Sequence, residues 1–72
     1  MYQVETMSRC NKYLDKLRFE GWDVWQMQYQ WYHPEGFHAW FWKTGHEDIE
    51  LVTHNEDVQK AIVSFNAKKP PG

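Results

Sequence analysis

WDVWQMQYQWYHPEGFHAWFW, residues 22–42, decides how this chain folds. Within it Trp25, Met27, Tyr29 and Trp31 alternate with Gln26, Gln28 and Gln30. Apolar and polar side chains at alternate positions mark a strand with one buried face. HPEG follows, with Pro34 at the second turn position and Gly36 at the fourth. That order fits a type I turn closed by a left-handed glycine, the loop of a three-residue hairpin. A second strand over residues 37–43 then runs back.

This turn sets a register in which His33 lies opposite Phe37, Trp31 opposite Ala39, Tyr29 opposite Phe41 and Met27 opposite Lys43. That side, continued by Trp25, is expected to face the core. The other side carries Tyr32 with His38, Gln30 with Trp40, and Gln28 with Trp42. A shift of the loop by one residue would exchange the faces of the second strand and send Trp40 and Trp42 inward.

Upstream, Val4, Met7, Cys10, Leu14 and Leu17 recur at helical spacing, with Arg9, Lys12, Asp15, Lys16 and Arg18 mostly on the other side. Gly21 stands where a helix C′ residue belongs, so a helix is expected over residues 4–19. Downstream, KTGHED reads as a turn around Gly45, and Ile49, Leu51 and Val52 as a short third strand. The last element starts at a capping box, Thr53 with Glu56, or at the competing cap Asn55. Glu56 and Asp57 suit the first helical turn, and Val58, Ala61, Ile62 and Phe65 form its apolar stripe. The fold class expected is α+β in the order α-β-β-β-α, a three-stranded antiparallel meander with two helices on one face. The globular domain is expected over residues 1–67, with KKPPG, residues 68–72, as a flexible tail.

Seventy-two residues make one domain with a small core, and the 18% of Phe, Trp and Tyr suits it, because large rings bury much area each. The net charge of -2 argues against a generic phosphate-backbone binder. A single cysteine excludes an internal disulfide framework. Nothing near Met1 reads as a signal peptide, and no apolar run is long enough to span a bilayer. The expectation is a soluble cytoplasmic protein with no membrane association.

The element order resembles that of double-stranded-RNA-binding domains, in topology and length alone. That family sets lysines at the start of its last helix to grip phosphates. Here the corresponding stretch is HNEDVQK, and Glu56 and Asp57 would repel phosphate. No functional residue carries over.

The sheet face away from the helices is the candidate site. Gln26, Gln28, Gln30, Tyr32, His38, Trp40 and Trp42 would line it, aromatic, amide-rich and nearly uncharged. Such faces resemble the centres of protein interfaces. Beside it, Glu47, Asp48 and Glu50 open a stretch to Gln59 that holds no Lys or Arg, an edge suited to steering a basic partner. The function expected is a non-catalytic protein-binding module, a small regulator or inhibitor that occludes a larger protein or nucleoprotein complex. An apolar open face also invites a symmetric homodimer. The alternative is a single-stranded nucleic-acid binder that stacks bases on Trp40, Trp42 and Tyr32, with Arg9, Lys12, Lys16, Arg18 and Lys43 supplying the positive field.

No enzyme is expected. Cys10 lies on an apolar stripe, and Ser8 and Ser64 have no evident base beside them. There is no glycine-rich phosphate loop. His33, His38, His46 and His54 show no paired helical spacing for a metal, and no cofactor is implied.

Overall fold

Cys10, Leu14 and Leu17 on one helix and Val58, Ile62 and Phe65 on another pack over Phe37, Ala39, Phe41 and Leu51 of the sheet. The computed structural model describes residues 1–67; the expected tail lies outside the described residues. The elements are β1 (Tyr2–Gln3), α1 (Met7–Phe19), β2 (Asp23–Gln28), β3 (Phe37–Trp42), β4 (Ile49–Thr53) and α2 (Glu56–Ala67). The four strands form one mixed sheet in the order β1-β4-β3-β2.

The three antiparallel strands of the expected meander are present, with both helices on one face, but the sheet has a fourth member. Tyr2 and Gln3 pair in parallel with Leu51 and Val52 of β4, and the Val4 amide donates to the Val52 carbonyl at 2.9 Å. Val4 is therefore buried as a strand-side residue, and α1 begins only at Met7, capped by the Thr6 hydroxyl. A two-residue strand leaves no periodic trace, and Val4 stood in phase with the helical stripe by coincidence of spacing.

The end of α1 follows its residues closely. Gly21 takes φ +86, the Trp22 amide donates to the Leu17 carbonyl at 2.9 Å, and the Gly21 amide to the Arg18 carbonyl at 3.2 Å. These two bonds make a Schellman motif, and its usual hydrophobic contact is supplied by Leu17 and Trp22, both in the core. The start of α2 resolves in favour of Asn55. Its side-chain oxygen accepts from the Asp57 and Val58 amides at 2.8 and 3.3 Å. Thr53 instead donates its hydroxyl to Glu5 at 3.1 Å and accepts from the Asn55 amide at 3.0 Å. In the core, Phe65 meets Phe41 edge to face at a centroid distance of 5.3 Å, and the Arg18 guanidinium lies 4.7 Å above the Phe65 ring.

The β2–β3 register differs from the expected one. Met27 lies opposite Ala39, Gln26 opposite Trp40 and Gln28 opposite His38, with an irregularity between Val24 and Gln26. The turn at HPEG forms as read: the Gly36 amide donates to the His33 carbonyl at 2.8 Å with Gly36 at φ +80. It is nested inside a longer connection over residues 29–36. Tyr29 leaves the strand at φ +66, a region a side chain rarely enters. Its ring stacks on His33 at 4.0 Å, almost parallel at 7°. The Gln59 amide of α2 then clamps the connection, accepting from the Trp31 amide at 2.8 Å and donating to Gln30 at 2.7 Å. β2 therefore ends at Gln28, and Trp31 does not face Ala39.

Among the described residues, no helix is long and apolar enough to cross a membrane.

Candidate functional site: the uncovered sheet face

The helices cover one side of the sheet, and alternation along β3 sends Phe37, Ala39 and Phe41 to them, fully buried. His38, Trp40 and Trp42 must then point the other way. The expected facing of Trp40 and Trp42 holds, although the register that predicted it does not. A shift of four positions along β2 preserves which side each strand residue faces, because the side-chain period is two.

Of the residues expected on this face, Gln26, Gln28, His38, Trp40 and Trp42 come together on it, joined by Glu50 from the expected acidic edge. Gln30 does not: its carboxamide is held by Gln59 at the rim beside α2. Tyr32 lies in the connection, exposed, with its ring edge-on to Trp31 at 5.5 Å. Glu47 and Asp48 are exposed on the segment leading into β4, while Glu50 is half-buried opposite Trp40. The acidic stretch is thus divided: Glu50 belongs to the aromatic face, and Glu56 pairs with Lys60 on α2 at 3.3 Å.

Two members escaped the sequence reading. Strict alternation puts Trp25 in the core, yet it is 52% exposed and its ring lies 6.4 Å from that of Trp40. The irregularity beside it turns Trp25 over. The one signal for it was the consecutive apolar pair Val24-Trp25, which breaks the alternation. Alternation puts Tyr29 in the core as well, but it is 40% exposed and stands edge-on to His38 at 6.0 Å.

His38 is the polar hub of the face. Its Nδ1 lies 2.6 Å from a Glu50 carboxylate oxygen and its Nε2 lies 3.0 Å from the Glu35 carbonyl. The carbonyl can only accept, so Nε2 carries a proton. The ring stacks on Trp40 at 5.6 Å and 21°. A His–carboxylate pair is a familiar way to orient a general base, but here the outward nitrogen is already engaged. It has no lone pair to offer a substrate. These two contacts hold the ring beside Trp40 and Tyr29.

Away from the face, Glu5 and Cys10 are bound into the fold. The Glu5 carboxylate is pushed up by burial. Hydrogen bonds from Gln3, the His54 amide, the Thr53 hydroxyl and the His54 side chain outweigh that and leave it below its ordinary value. Burial pushes the Cys10 thiol up, which makes it a poorer nucleophile. Among the described residues, no three His, Cys, Asp or Glu side chains gather to hold a metal ion.

Most of the basic residues among those described lie in the helical layer. Arg9, Lys12 and Lys16 are exposed on α1, and a shallow concavity of about 200 Å³ is lined there by Lys12, Tyr13 and Lys16. None of the four strands contains Lys or Arg. Arg9, Lys12 and Lys16 are therefore on the opposite side of the sheet from the aromatic face, while Lys43 directly follows Trp42 at the end of β3.

Comparison with protein-family models, curated proteins and solved structures finds no match for this chain.

Proposed function

We propose that this chain is a non-catalytic protein-binding module that docks through the uncovered sheet face, as a small regulator or inhibitor that occludes a larger protein. One observation carries this reading. Trp25, Tyr29 and Trp42 expose 52%, 40% and 43% of their surface on a face that neither helix covers. Exposed aromatic rings close together, bordered by polar side chains, are the composition of binding hot spots. The separation of Arg9, Lys12 and Lys16 from this face weighs against a nucleic-acid strand, which needs cations beside its stacking rings.

The test is a nuclease-treated capture from the source lysate, with proximity crosslinking to identify what is bound. Wild type is compared with Trp25→Ala/Trp42→Ala, after circular dichroism has shown the variant folded. A protein retained by the wild type, crosslinked at the sheet and lost by the variant, is the expected result. Equal capture by both proteins removes the sheet face as the site. Binding of a single-stranded oligonucleotide that weakens steeply with salt and needs Lys12 and Lys16 would replace the reading altogether.

A further inference from the structure

Three of the four histidines touch the backbone of one turn. The His33 Nδ1 accepts from the Glu35 amide at 3.0 Å. The His38 Nε2 donates to the Glu35 carbonyl at 3.0 Å, and the His54 Nε2 to the Pro34 carbonyl at 3.3 Å. His38 and His54 each meet a carboxylate at the other ring nitrogen, Glu50 at 2.6 Å and Glu5 at 3.5 Å. The two pairs differ in shielding. The His38 and Glu50 side chains are 16% and 25% exposed, against 44% and 38% for His54 and Glu5, so solvent screens the first pair less.

Both nitrogens of His38 face oxygen atoms that accept. Only the imidazolium donates from both. A neutral ring protonated at Nε2 would turn its Nδ1 lone pair on the Glu50 carboxylate. One protonated at Nδ1 would turn a lone pair on the Glu35 carbonyl. Either neutral form gives up one of the two bonds. The geometry therefore holds one proton more than a neutral imidazole and a carboxylate carry between them. That proton sits on the ring, because imidazole is a stronger base than a carboxylate.

The surroundings give this proton a structural role. Glu50 reaches the ring from β4, and Gln28, which is uncharged, lies opposite on β2. From the connection come the Glu35 carbonyl and the Tyr29 ring, with His33 stacked on Tyr29 at 4.0 Å. The Glu35 side chain itself is exposed. Trp40 stacks on His38 from β3. His33 has the opposite requirement, because its Nδ1 accepts only while unprotonated. His38 thus links the sheet to the 29–36 connection. We propose that the proton on His38 is a latch: it ties the turn over residues 33–36 to Glu50 of β4, and its loss as pH rises loosens the turn together with Tyr29. Tyr29 and Trp40 both belong to the open face, so the shape of that face follows the same proton, whatever docks there.

The experiment is a titration of the full chain by NMR across the histidine range, from about pH 5 to 9. Long-range proton–nitrogen spectra report the charge of each histidine ring, and hydrogen exchange reports the turn. Both His38 nitrogens are expected to appear as N–H nitrogens at the acid end and to lose that character as the pH rises. The Gly36 amide donates to the His33 carbonyl inside the turn. Its exchange, corrected for the intrinsic dependence on pH, should quicken at least about tenfold as His38 loses its charge, the size of one charge-assisted hydrogen bond. Amides of α1 should show no such step. Glu50→Gln supplies the contrast. A carboxamide can accept from a ring N–H or donate to a bare ring nitrogen, so it holds either form of His38, and the step at Gly36 should vanish. A step that follows His33 or His54 instead, a step that survives Glu50→Gln, or a His38 that is neutral throughout overturns the inference. The wild-type titration decides alone if the variant does not fold: a flat Gly36 rate while His38 changes charge refutes the latch.

Discussion

Replacing Gly36 with alanine tests how firmly the 29–36 connection is seated against the rest of the fold. Gly36 holds φ +80, where an alanine costs about 1 kcal/mol in backbone strain. A Cβ there would also lie 2.9 Å from the Thr53 carbonyl oxygen and 2.9 Å from the His54 ring. Neither neighbour is free to retreat. Thr53 is buried and paired with Phe37 across the β3–β4 ladder, and His54 is held between the Pro34 carbonyl and Glu5. Overpacking of this kind costs about 1–3 kcal/mol more. The total, roughly 2–4 kcal/mol, corresponds to a drop in Tm of about 10–25 °C for a domain of this size. Gly21 supplies the internal control, because it has φ +86 and nothing within 4 Å of its would-be Cβ. Gly21→Ala should therefore show the strain alone, about 1 kcal/mol. Urea unfolding followed by tryptophan fluorescence measures both. If the two substitutions destabilise equally, the close approach of Gly36 to β4 is not a real constraint and the account of the connection fails.

Trp42→Ala should change stability by less than about 1 kcal/mol, whereas Phe41→Ala beside it should cost about 3–5 kcal/mol, and urea midpoints of the two variants decide this. Glu5 has a lowered folded-state value, so its contribution is present above the ordinary value of 4.5 and is lost as pH falls through the folded value. Unfolding midpoints measured from neutral pH to pH 3 should accordingly fall less for Glu5→Gln than for the wild type. Cys10 is wholly buried with its thiol pushed up, so a thiol reagent should label it no faster than the fold opens, and labelling should become immediate in denaturant.

Where local chemistry decides the structure, the residues announce it. Cys10, Leu14 and Leu17, the Gly21 stop, the HPEG turn and the stripe of α2 all lie where spacing and turn preference put them. What escaped depends on partners distant in the chain. β1 exists because β4 offers it an edge, and two residues carry no period of their own. The strand ends at Gln28 because Gln59 clamps the following backbone, a bond between positions 28 residues apart in the case of Trp31. Trp25 joins the open face through a local irregularity that simple alternation does not foresee. The candidate site was legible on β3, where strict alternation survives. It was half legible on β2, where it does not. The pairing of His38 with Glu50 became visible only once β3 and β4 were aligned.

The clasp at Glu5 also bears on the order in which the chain assembles. Its bonds to Thr53, His54 and Asn55 join positions 48, 49 and 50 residues apart. The β2–β3 connection closes only residues 29–36. Since loop entropy grows by about 0.6 kcal/mol for each doubling of length, closing the clasp costs about 1.5 kcal/mol more than closing the hairpin. The hairpin and its β4 neighbour are therefore the natural starting structure, and docking of β1 completes the sheet. In reverse, release of the first five residues breaks this clasp and withdraws Val4 from the core. Because the Glu5 carbonyl holds Asn55, the cap of α2, that release also loosens the start of the last helix. The first residues and the start of α2 are thus coupled through Glu5, while the aromatic face stands on strands joined by the short connection.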